Sequence, residues 1–121
     1  MRSWVLLAVA IWSIESFSCS LAQDATRVAV AGGSITEIIY FLGEEKRLIA
    51  VDQTSNYPLD ALKNLPSLGY VRNLSAEGIL SLSPTLVLGE HDMGPIEVLS
   101  QLDFVDVEVI RTEETHDVAG I

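Results

Sequence analysis

The chain has 121 residues, about the length of one domain, and carries 17 acidic against 7 basic side chains, a formal net charge of −10. So acidic a surface repels phosphate backbones, which proteins neutralise with Lys and Arg, and this argues against a nucleic-acid partner. The single cysteine, Cys19, excludes an intrachain disulfide framework.

The first residues read as a secretory signal peptide spanning 1–22. Arg2 supplies the positive start, residues 5–14 (VLLAVAIWSI) the apolar run, and Ser20 and Ala22 the small residues before Gln23. The apolar run falls short of the roughly 20 residues a membrane-spanning helix needs, and Glu15 at its edge would be costly in lipid. Residues 16–18 before Cys19 lack the aliphatic and small pattern of lipoprotein processing. Cleavage after Ala22 leaves residues 23–121 without a cysteine and with an unchanged charge, because Arg2 and Glu15 cancel. That charge either keeps an exported protein soluble or steers it toward a basic docking face.

Beyond the leader, short β-rich runs alternate with helical ones, the pattern of an α/β layer fold with a mainly parallel central sheet flanked by helices. Residues 27–31 (RVAVA) predict the first strand, and Gly32-Gly33 breaks it. Ser34 and Glu37 have capping-box spacing for a helix running to about Leu42, with Ile35, Ile38, Ile39 and Leu42 on one face and Gly43 as its stop. Residues 48–51 (LIAV) predict a second strand. Pro58 suits the first position of a short helix through Leu62.

Residues 65–73 (LPSLGYVRN) read as an irregular connection. Ser75 caps a helix holding Ile79, Leu80 and Leu82, with Glu77 in its first turn and Pro84 at its end. Residues 86–88 predict a third strand, 89–94 a loop, 95–102 a helix and 107–110 a fourth strand. Residues 115–121 look like the opening of another helix, on which the chain stops; this reads as a truncation.

In an open parallel sheet, ligands bind outside the carboxyl ends of the strands. Three loops fall there: 32–34, 52–58 and 89–94. The two glycines before Ser34 offer an anion cradle, a weak signal without GxGxxG or GxxxxGK[ST] spacing. Tyr70, in a loop with Arg72 two residues on, is a candidate ligand for ferric iron, since a phenolate oxygen is a hard donor and a nearby guanidinium favours its ionised form. The plainer alternative is a Tyr that packs its ring and shows its hydroxyl to water. His91, between Glu90 and Asp92, is a candidate metal or ligand contact, but with His116 it makes no HxH or HExxH spacing. Ser34 and His91 are the residues a small exported enzyme would use, and no nucleophile with an adjacent base stands out.

Residues 27–58 (beginning RVAVAGGSITEIIYFLG) resemble the start of bacterial haem ABC transporter substrate-binding proteins, and residues 65–84 (LPSLGYVRNLSAEGILSLSP) and 85–94 continue the likeness. The Gly-Tyr-x-Arg-x-Leu-Ser-Ala-Glu-Gly run at 69–78 is the most specific part. It separates the haem branch from related cobalamin, siderophore and metal binders. The resemblance implies a two-lobed periplasmic protein with haem in the cleft, of which residues 23–121 form one Rossmann-like N-terminal lobe. It implies that Tyr70 is the axial iron ligand, that Arg72 stabilises either the phenolate or a haem propionate, and that Glu77 docks on the permease of an ABC importer.

Departures from the family pattern are the absent second lobe and connecting helix, Thr85 in place of the usual Asp after Pro84, and the more polar Glu90-His91-Asp92, which brings His91, with Ser34, into the set of ligand-contact candidates. Other readings are a binder of cobalamin, a ferric siderophore or zinc, and a truncated product without a transport role.

Overall fold

A computed structural model describes residues 25–115. The expected signal peptide, Cys19, His116 and all but the first residue of the helix expected at the end lie outside the described residues.

Apolar β-branched runs bounded by turns become strands here: β1 Val28–Ala31, β2 Leu48–Val51, β3 Leu86–Gly89 and β4 Glu108–Arg111. Between them lie α1 Gly33–Phe41, α2 Leu59–Asn64, α3 Ala76–Leu80 and α4 Ile96–Phe104. All pairings are parallel, in the order β2-β1-β3-β4. Each connection must therefore cross over, and the helices land on both faces. β1 sits in the middle with every residue buried, as expected for a strand covered on both sides.

One face of the sheet carries Val28, Val30, Leu48 and Leu86, packed by Ile35, Ile39, Ala61 and Leu62 of α1 and α2. The other carries Ala29, Ala31, Ala50 and Val87. Small side chains there let Ile79 of α3 and Leu99 and Leu102 of α4 approach closely. β4 is an edge strand with exposed or half-exposed residues throughout.

The expected strands fall within one residue of their observed limits, and β2 matches at both ends. Ser75 caps α3 as expected, accepting from the Gly78 N–H at 3.2 Å. Gly43 follows the end of α1 at a φ of 73°, a conformation suited to glycine.

The start of α1 differs from expectation. Gly32, not Ser34, is the N-cap, no side chain caps it, and the helix begins at Gly33. The expected face holds in part: Ile35 and Ile39 pack on the core, while Thr36 is the fully buried residue of the helix and Ile38 and Leu42 are 56% and 65% exposed. Each difference has a polar partner behind it. Thr36 is drawn into a polar network below the sheet edge, and the hydroxyl of Ser34 is taken by a carboxylate from another loop. A 3-10 turn at Glu45–Arg47, which the periodicity did not suggest, is braced by an ion pair between Glu44 and Arg47 at 2.6 Å.

Candidate ligand-binding edge

Strand order reverses at β1: its chain partner β2 lies on one side, and β3 and β4 on the other. The crevice outside the carboxyl ends of β1 and β3 is the switch point of such a sheet, where ligands generally sit.

Beneath this edge lies a buried network centred on Asp52, the residue after β2. Its Oδ1 accepts from the Gly32 N–H at 3.0 Å and the Ser55 hydroxyl at 2.9 Å; its Oδ2 accepts from the Thr54 N–H at 2.9 Å and the Thr54 hydroxyl at 2.7 Å. Thr36 and Ser55 hydroxyls are 2.8 Å apart. A hydroxyl has one proton to give; with Ser55 donating to Asp52, the Thr36 proton is shared between Ser55 Oγ and the Gly32 carbonyl oxygen 3.2 Å away. Asp52, Ser55 and Thr36 are each fully buried, and a buried carboxylate is tolerated when four donors surround it. The network staples the loop after β1 to the loop after β2.

Above the edge, Glu90 reaches back from the end of β3. Its Oε1 accepts from the Ser34 hydroxyl at 2.7 Å and the Ser34 N–H at 3.2 Å. The anion cradle expected at the start of α1 is thus filled by the protein's own carboxylate, in the place where the helix dipole favours negative charge. A side chain at Gly32 would collide with Glu90, which explains the glycine at a φ of 151°.

The irregular connection, expected as a loop, runs along the same edge. Leu68 N–H donates to Val51 O at 2.9 Å and Gln53 N–H to Gly69 O at 2.8 Å, fixing its start beside β2. Gly94 N–H donates to Val71 O at 3.0 Å and Leu74 N–H to Gly94 O at 2.9 Å, fixing its end beside the loop after β3. Val71 and Leu74 point into the core, so Tyr70 and Arg72 point out. Tyr70 is 46% exposed at the crevice.

Arg72 Nε donates to Asp92 Oδ2 at 2.6 Å. The hydrogen bond to Asp92, the charge of Asp92 and the nearby Tyr70 oxygen all raise Arg72 above its ordinary range. In return the Arg72 hydrogen bond holds the Asp92 carboxyl below its usual range, against a desolvation that pushes it up. Asp92 Oδ1 is buried without a hydrogen-bond partner.

The structure thus leaves Tyr70 and Arg72 both exposed on one connection and adds Asp92 as the partner of Arg72. Ser34 and His91 take different partners: the former binds Glu90, whereas His91 Nε2 lies 2.8 Å from Glu114 Oε2, past β4. Glu77 is exposed on the first turn of α3. Among the described residues no group of three His, Cys, Asp or Glu side chains is arranged to hold a metal ion. Sequence reasoning missed the roles of Asp52, Glu90 and Asp92. The polar 90–92 run was visible, but its partners 56 and 20 residues away were not.

Comparison with known proteins fits this geometry. A vitamin B12-binding protein of Yersinia pseudotuberculosis is 33% identical over 115 residues, covering 95% of this chain and 39% of that protein. A periplasmic heme-binding protein from Pseudomonas aeruginosa superposes with a TM-score of 0.72 at 44% identity, over 78% of this chain and 34% of the other. Periplasmic heme-binding protein RhuT from Roseiflexus sp. RS-1, in apo form, gives 0.69 at 44% identity, over 73% and 34%. The chain spans between 34% and 39% of the length of these relatives, all of them named as binding proteins rather than enzymes. With the model for the family described as periplasmic binding protein matching residues 28–120 and the expected parallel α/β architecture in place, the chain belongs to the periplasmic binding protein family.

Proposed function

We propose that this chain binds haem in the periplasm and presents it to the permease of an ABC-type importer, with Tyr70 as the axial ligand of ferric iron. The observation that carries the reading is the half-exposed Tyr70 at the switch-point crevice with Arg72, also exposed, two residues on. A phenolate oxygen suits ferric iron, and a neighbouring cation favours the ionised phenol. Support also comes from the 44% identity to two heme-binding relatives. In this reading residues 1–22 direct export. Glu77 meets permease arginines through charge-assisted bonds. Ser34 and His91 are engaged by Glu90 and Glu114, and Arg72 is held through Nε alone, leaving Tyr70 and the Nη groups of Arg72 as the principal contacts.

Titration of ferric haem into the full chain should shift the Soret band and give a high-spin tyrosinate signature, which Tyr70→Phe should abolish. A mutant spectrum identical to that of the wild type would remove Tyr70 from the iron.

The second reading, a cobalamin carrier, is favoured by the Yersinia relative. Cyanocobalamin that displaces haem, and binds equally well to Tyr70→Phe, would favour it.

A further inference from the structure

We propose that Asp92 is a positioning residue for ligand capture: it holds Arg72 by one edge so that the other edge of the guanidinium faces Tyr70 and the ligand. This rests on the haem reading above. The 2.6 Å bond joins Asp92 Oδ2 to Arg72 Nε, and the Arg72 side chain is 63% exposed against 21% for Asp92. A guanidinium has five donors in a rigid plane, so fixing Nε fixes the direction of both Nη groups while leaving their protons available. Asp92 is the anchored member of the pair, half sunk in the loop after β3, and Arg72 the presented one. Tyr70, two residues before Arg72, is exposed on the same connection.

Released from Asp92, a long exposed side chain would spread over its rotamers and spend less time at the phenolate. The backbone of the two loops does not depend on the ion pair. Val71 and Leu74 are tied to Gly94 by main-chain bonds and are buried, so a substitution at 92 frees the guanidinium without freeing the loop.

The test measures haem release from the full chain, by transfer to excess apomyoglobin, together with the tyrosinate charge-transfer band. Asp92→Ala should release haem roughly five- to tenfold faster and weaken the band, the size of effect expected when a charge-assisted bond loses its alignment. Asp92→Asn, which keeps an oxygen for Nε, should recover part of the loss. In an Arg72→Ala background, Asp92→Ala should change release less than about twofold, because the two residues act as a unit. Unchanged or slower release from Asp92→Ala, or an equal acceleration without Arg72, would overturn the inference. Tyr70→Phe is the control for the haem reading itself. If it leaves the spectrum intact, that reading fails; if it abolishes the band while Asp92→Ala is silent, only the role of Asp92 fails.

Discussion

Ser34 Oγ and Glu90 Oε1 meet at 2.7 Å across 56 residues of sequence, tying the first turn of α1 to the loop after β3. The bond does two things at once. It supplies a negative charge at the positive end of α1, and it closes the space above Gly32.

Glu90→Ala should lower the unfolding free energy by about 1–2 kcal/mol in urea titration, from loss of the hydrogen bonds and the helix-end charge. Glu90→Gln, which retains an acceptor without the charge, should cost less. Gly32→Ala should cost more than about 2 kcal/mol, since its φ of 151° is strained for a side chain and the new Cβ would lie 2.7 Å from Glu90 Cδ. Combined with Glu90→Ala it should cost less than the sum, because the second change removes the collision. Strict additivity would contradict this packing.

Asp52→Ala should be among the most damaging polar substitutions. It strands the Gly32 and Thr54 amides and the two hydroxyls that now converge on one buried carboxylate. Roughly 3 kcal/mol of lost stability is expected, with faster hydrogen exchange at the Gly32 and Thr54 amides. Protection unchanged at those two amides would refute the stapling role.

Ser75→Ala should cost about 1 kcal/mol by loss of the cap on the Gly78 N–H, and Ser75→Asp should restore it. Denaturant midpoints of the three proteins would give the comparison.

Asp92 is held below its ordinary value of 3.8 by Arg72. Below that value the unfolded chain takes up the proton first, so stability from the pair is present above about pH 4 and is lost as pH falls through the depressed value. The sign follows: wild type should exceed Asp92→Asn at pH 7 by a small amount, as the Arg72 partner is largely exposed, and the two should converge under acid. A gap that widens toward low pH would show the coupling to be wrong.

Much of this architecture was readable from local pattern. The limits of β2, the Ser75 cap and the turn at Gly43 each depend on a few consecutive residues whose backbone preferences agree with their final surroundings. Tyr70 stood out because a Gly-Tyr-x-Arg run in an irregular connection is a short-range feature, and the structure has it half exposed at the crevice. The start of α1 was misread for the opposite reason. Ser34 and Glu37 carry a cap's spacing, yet the Ser34 hydroxyl has a stronger acceptor in Glu90, which no window around residue 34 contains.

By itself, the order of residues determined where strands and helices form, that the sheet is parallel and which loops share its carboxyl edge. Only the tertiary structure decided which polar groups meet there: Asp52 with Gly32, Ser34 with Glu90, Arg72 with Asp92, and His91 with Glu114. Those contacts follow from the strand order β2-β1-β3-β4 and its register, which bring the loop after β3 beside the loop after β1. Periodicity along one strand reports which face is buried; it carries no record of the neighbour across the sheet.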